Sequence, residues 1–192
     1  MTRLLPAIYG SHLVIPAEWR QVLHSVQERF PQANIAGGAL RDLWHDKPAK
    51  DVDIFIPTAP EIAATDGFLD GVFGRLLELD PYLELIAASV YGQSGNEATP
   101  GFRNIYVIYR LNIQGVTYEV IFIEDRGEDV IDVFDLSIAQ IGYDGKSIRT
   151  TENFNRTIFD KVIRVCNVNR SDRQTKRMER VLSKYPEYRA EE

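Results

Sequence analysis

The chain predicts an α+β fold, on two kinds of pattern and one of punctuation. Apolar residues recur at helical spacing across Pro16–Phe30 and again between Glu61 and Leu79, whereas Val52, Ile54 and Ile56 alternate with Asp51, Asp53 and Phe55. The runs IYVIYRLNI (105–113) and VTYEVIFIE (116–124) flank a Gln114-Gly115 turn signal and read as a hairpin. At 192 residues with 44% apolar content, there is chain enough for one compact core and a tail. No apolar run reaches the roughly 18 residues of a membrane span, and MTRLLPAIYG lacks the features of a signal peptide, so a soluble cytoplasmic protein is expected. The single cysteine, Cys166, forms no internal disulfide and suggests no zinc site.

In chain order, the first helix has Pro16 in its first turn and Trp19, Val22, Leu23, Val26 and Phe30 on one stripe, and Pro31 ends it. Ile35 and Ala36 close a short apolar run. Gly37 and Gly38 open a helix through Leu43, His45 to Lys50 form a loop, and the alternating strand follows. The helical stretch between Glu61 and Leu79 leads through Asp80-Pro81 to a strand near Leu83 to Tyr91. The polar segment GQSGNEATPGFRN, Gly92 to Asn104, has the length of a lid or substrate loop and equally of a hairpin tip. Asp172 to Lys184 reads as a last helix with Met178, Val181 and Leu182 packing inward.

The segment Ile35 to Ile56 carries the chemistry. Asp51 and Asp53 are two apart on a strand and so project from one face, side by side. Such carboxylates repel unless a cation lies between them, and hard divalent ions are the usual answer where the substrate is a triphosphate. The paired glycines let a polyphosphate approach the backbone N–H groups at a helix start. In VTYEVIFIE, Glu119 is a charge on a largely apolar strand, which calls for a metal or another cation. A solvated position or an arginine partner would also satisfy it, and Glu124 and Asp125 compete as the acid at the strand end.

In order and spacing, Gly37, Gly38, Arg41, Asp42, Lys50, Asp51 and Asp53 resemble the signature of the DNA polymerase beta nucleotidyltransferase superfamily. The likeness is closest to the head of the bacterial-type poly(A) polymerase and CCA-adding tRNA nucleotidyltransferase family, in a compact stand-alone form of the kind found in phage genomes. It covers about residues 33 to 150. Asp135 to Asp144, DLSIAQIGYD, resembles a second family motif through Asp135, Ser137, Ile138, Tyr143 and Asp144, with Val133 and Phe134 where two arginines are expected and Ala139 for an asparagine. The resemblance implies a mixed sheet with flanking helices, a head over 1–150, and a short basic, helical, neck-like tail over 151–192. It implies Asp51, Asp53 and Glu119 as catalytic ligands of two Mg²⁺ ions, or Mn²⁺. Gly37, Gly38, Arg41, Lys50 and Asp135 would handle an NTP, most naturally ATP or CTP. Asp135 would serve equally as a helix cap or turn residue. The family's Glu-Asp-x-x-Arg motif has only SDRQTKRM, Ser171 to Met178, in its region, at the wrong spacing.

The implied reaction moves NMP from an NTP to a hydroxyl, an RNA 3′ end of tRNA type, with release of pyrophosphate. Modification of a protein or small molecule is the alternative, as is an inactive nucleotide-binding or partner-binding protein, which the missing arginines favour. Residues 149–192 carry net charge +4 against −10 for the remainder. If RNA binds, Lys176, Arg177 and Arg180, with Arg164, Arg170 and Arg173, are where phosphates would land, and a solvated helix face is the alternative. His45 beside the site is expected to be a solvated loop residue.

Overall fold

A computed structural model describes residues 13–88, 105–167 and 171–191, without the side chains of 171–173. Helix α1 (Ala17–Gln27) begins at Pro16 and buries Trp19, Val22, Leu23 and Val26, the stripe its spacing predicts. Strand β1 (Asn34–Ala36) runs into α2 (Gly38–Trp44), and β2 (Val52–Thr58) follows. The long helix expected between Glu61 and Leu79 is two helices, α3 (Pro60–Ala63) and α4 (Phe68–Leu77). Gly67 sits between them at φ +79°, and the Thr65 hydroxyl donates to the Ile62 carbonyl, so the break is made locally.

Strand β3 (Glu84–Ala88) precedes the hairpin of β4 (Ile105–Ile113) and β5 (Val116–Glu124), and the 92–104 loop lies outside the described residues. Gln114 and Gly115 both have positive φ, 53° and 79°, as a two-residue turn between right-twisted strands demands. Two three-residue strands, β6 (Ile141–Tyr143) and β7 (Ile148–Thr150), lead to α5 (Glu152–Asp160), whose start is capped by Thr151 accepting from the Phe154 amide. Strand β8 (Val162–Ile163), α6 (Ser171–Lys184) and β9 (Arg189–Ala190) complete the chain.

The main sheet has seven strands in the order β3-β4-β5-β2-β1-β6-β7. Only β2 and β5 are parallel neighbours; the other five pairings in this sheet are antiparallel. One face carries Val52, Ile54, Ile56, Tyr118, Val120 and Phe122 onto α1 and α4, where Phe30 meets Phe122 edge-to-face at 5.1 Å. The other face has an apolar patch of Phe55, Ile121 and Ile123, covered by Val130 and Ile131, and beside it the carboxylates of interest. A third cluster joins α6 and the last strand to the rest: Val181, Tyr185 and Tyr188 pack against Leu136, Ile138 and Ile163.

Candidate active site

The parallel register of β2 and β5 sets Asp53 beside Glu119. Asp51 precedes the strand by one residue and shares the face of Asp53 by the period of two. Close packing, with Asp51 and Glu119 alongside, pushes the Asp53 carboxyl up to about 7, against the pull of Arg177 and Arg41. A carboxyl destabilised in its charged form by two other carboxylates is what a hard cation relieves, and an oxygen-only donor set suits Mg²⁺. Asp51, Asp53 and Glu119 therefore fit the metal by chemistry and by face. Among the described residues, however, no three His, Cys, Asp or Glu side chains already converge as a metal cage. One of the three is already engaged: Glu119 Oε1 accepts from Arg110 Nη2 at 2.7 Å. The apolar-strand charge has found an arginine.

The glycine turn departs from the expectation in one respect. Gly37 adopts φ +83°, where a side chain is strained, but its amide donates to the Ile141 carbonyl at 2.9 Å and is not available to a phosphate. The Phe134 ring lies 3.4 Å from where a Cβ on Gly37 would be. The residue standing in place of an expected arginine thus packs on the glycine turn and edge-on to Phe55. At Gly38 an added Cβ would meet only Arg41 Nη2, at 3.6 Å.

Arg41 points along α2 into a clasp with the C-terminal segment. Its Nε and Nη2 donate to Asp42 Oδ1 at 3.0 and 2.7 Å, and Nε also reaches the Tyr185 hydroxyl at 3.1 Å. Tyr185 and Lys184 donate to the same buried carboxylate. Burial opposes ionisation of Asp42, but hydrogen bonds from Lys184 and Tyr185 and the Arg41 charge together hold its carboxyl below the usual range. His45 is not a solvated loop residue. It is the C-cap of α2, with Nδ1 2.7 Å from the Arg41 carbonyl and Nε2 2.7 Å from the Tyr188 hydroxyl. The carbonyl can only accept, so Nδ1 carries the proton and Nε2 accepts from Tyr188.

Asp135 is buried and neither caps a helix nor makes a turn: its Oδ1 lies 2.9 Å from Arg177 Nη1. The Arg177 charge also favours the ionised form of Asp53. Arg177 is thus separated from Lys176 and Arg180, which remain exposed on α6. Arg164 is held by Asp160 and Glu191, Arg170 lies outside the described residues, and the side chain of Arg173 is not described. Lys50 is solvent-exposed with Nζ 3.8 Å from Asp51. The sequence allows Glu119 an arginine partner without identifying Arg110, and it does not show the inward turn of Arg177 or the clasp on Asp42.

No family model and no curated protein matches the chain. Solved structures do. The chain aligns with the Thermotoga maritima CCA-adding enzyme complexed with tRNA at a TM-score of 0.61 and 15% identity, covering 94% of this chain and 41% of that one. It is also similar to a CCA-adding enzyme bound to CTP (TM-score 0.60, 19% identity, 93% and 41% covered) and to the Bacillus stearothermophilus CCA-adding enzyme in complex with CTP (0.58, 18%, 92% and 42%). The chain has the fold of part of these CCA-adding enzymes. At these identities the likeness establishes the fold, and the chain spans about two-fifths of the length of the enzymes it matches. Within this fold the parallel β2–β5 pair sets Asp53 and Glu119 next to each other.

Proposed function

We propose that the chain is a metal-dependent nucleotidyltransferase that moves NMP from an NTP to a hydroxyl acceptor and releases pyrophosphate. One observation carries this reading: Asp53, raised to about 7 by crowding, lies in register with Glu119 on a parallel strand, with Asp51 on the same face. Asp51 and Asp53 would hold the divalent ions, with Glu119 as third ligand. When bound, such ions lower the pKa of an attacking hydroxyl and neutralise charge on the transferring phosphoryl group. Arg41 and Arg177, whose charges act on Asp53, would orient the anionic substrate to the extent that they are released from Asp42 and Asp135. The patch of Phe55, Phe134 and Ile121 beside them offers an apolar surface and keeps water from that side of the site.

The acceptor we favour is an RNA 3′ end, and ATP or CTP the donor. Support comes from the solved structures of similar fold, which include complexes with tRNA and with CTP. Lys176 and Arg180, exposed on the helix that carries Arg177, are placed to meet RNA phosphates next to the site. The test is incubation with Mg²⁺ and each labelled NTP, with and without RNA, scoring pyrophosphate. Release that requires RNA and is lost in a folded Asp53→Asn variant supports the reading. Release without RNA points to a protein or small-molecule hydroxyl. No release with any NTP and RNA defeats the enzymatic reading and leaves a binding protein.

A further inference from the structure

Four charged residues stand in register across four adjacent strands. Glu84 on β3 opposes Arg110 on β4, Arg110 opposes Glu119 on β5, and Glu119 opposes Asp53 on β2. The row reads acid, base, acid, acid across one face of the sheet. Arg110 is held unevenly within it. Its Nη2 is 2.7 Å from Glu119, its Nη1 is 3.8 Å from Glu84, and its buried Nε has no hydrogen-bond partner among the described residues. A planar fork with one short contact, one long one and one donor unused is poorly anchored for a guanidinium that serves only to hold two strands together.

We propose that Arg110 is a built-in counter-ion for the third carboxylate, holding Glu119 out of the metal site until a divalent cation takes that carboxylate and Arg110 shifts to Glu84. The proposal rests on the metal-dependent reading above. It explains why Asp51, Asp53 and Glu119 share a face and yet do not converge as a cage: one oxygen of Glu119 is already committed to the neighbouring strand. Glu84, exposed on β3 and directly opposite Arg110, is the acceptor that receives the displaced guanidinium. Metal binding then costs the breaking of one charge-assisted hydrogen bond, and metal affinity is set below what the three acids alone would give. Arg110 is a positioning residue in this scheme, acting on the reaction through Glu119.

The test is Mn²⁺ binding to the full chain, followed by the loss of the free-ion signal in electron paramagnetic resonance, with no nucleotide present. Arg110→Met should bind Mn²⁺ about tenfold more tightly than the parent, the scale of one charge-assisted hydrogen bond in partly screened surroundings. Arg110→Gln serves as a second variant and should shift in the same direction. Glu84→Gln should weaken binding by about threefold, because Arg110 loses its alternative partner and stays on Glu119. The decisive comparison uses Glu119→Gln. If the gain comes from freeing Glu119, Arg110→Met should add nothing in that background. A gain that persists without Glu119 reflects only the loss of a nearby positive charge and overturns the proposal. Equal affinity in the parent and both Arg110 variants, with Mn²⁺ lost in Asp53→Asn, also overturns it but leaves the proposed metal site standing. Absence of binding throughout, or binding unaffected by Asp53→Asn, removes both.

Discussion

Asp42→Asn is expected to loosen the C-terminal segment from the head. The substitution keeps the shape of the side chain and removes one charge. That charge is 6% exposed and is shared by Arg41, 13% exposed, by Lys184, 36% exposed, and by the Tyr185 hydroxyl. Removing one partner from a buried ion pair costs about 3–5 kcal/mol, because the other charge stays buried and uncompensated. Lys184 reaches solvent and is screened, so the lower end applies, about 3 kcal/mol. For a chain of this length that corresponds to a fall in Tm of about 6–12 °C. Tyr185→Phe removes one donor and leaves both cations paired, so about 1.5 kcal/mol is expected. The pH dependence has a fixed sign. Asp42 has a depressed folded pKa, so its contribution is complete above the ordinary value of 3.8 and is lost as pH falls from there through the folded value. Calorimetric or urea unfolding of the parent and both variants, at pH 7 and at stepwise lower pH, provides the measurement. If Asp42→Asn melts within about 2 °C of the parent at pH 7, the clasp contributes under 1 kcal/mol and the reasoning is wrong.

His45 is held neutral by burial, which lowers its pKa below 6.5; its stabilising effect is therefore full above pH 6.5 and lost as pH falls through the folded value, and His45→Gln should flatten the unfolding profile in that window. Gly37→Ala should cost about 1–2 kcal/mol in urea unfolding, from φ +83° and the contact with Phe134, whereas Gly38→Ala should stay within about 0.5 kcal/mol. Lys176→Glu with Arg180→Glu should weaken RNA binding and flatten its salt dependence while the melting temperature stays near that of the parent. Full RNA affinity in that variant would make α6 a packing element only.

The parts of the site that lie on one element were legible from the sequence. Period-two alternation put Asp53 on the non-core face of β2 with Asp51 just before the strand, and the glycine pair marked the start of α2. What depends on pairing between elements was not read, although some of it was within reach. Gln114-Gly115 forms a two-residue turn, and counting outward from it pairs Ile113 with Val116 and, three steps further, Arg110 with Glu119. Arg177, Val181 and Tyr185 are four residues apart, so the arginine lies on the buried stripe of α6, which assigning its charge to a solvated face concealed. Strands β6 to β9, of two or three residues each, are too short to show a period. They form because neighbouring backbones complete their hydrogen bonds, which is information held elsewhere in the chain. The split at Gly67 shows the converse, since Thr65-Asp66-Gly67 is turn chemistry that an apolar helical period overrode.

The charge bookkeeping of the site leads to a final expectation about order of binding. Each guanidinium near the carboxylates already has an acid of its own: Arg41 has Asp42, Arg177 has Asp135 and Arg110 has Glu119. Among the described residues, the ion pair at these two aspartates is that of Lys50 with Asp51, its ammonium 93% exposed and 3.8 Å away, while Arg41 and Arg177 act on Asp53 without pairing with it. The face that the proposed function gives to a triphosphate is therefore negative in the metal-free protein, and the arginines offer it less than their number suggests. A bare nucleotide should be held weakly, and a nucleotide carrying its divalent ion should be held well, since that cation screens the phosphates from Asp51 and Asp53 and draws on them as ligands. Titration of ATP and CTP, first with chelator and then with excess Mn²⁺, should show affinity rising by an order of magnitude or more with the metal, and the rise should disappear in Asp53→Asn. In that variant the metal-free affinity should itself increase slightly, because one repelling carboxylate is gone. Equal affinity with and without metal in the parent would mean that Arg41 and Arg177 leave their acids to bind phosphate directly, and the paired state of these side chains would then not be the one that meets substrate.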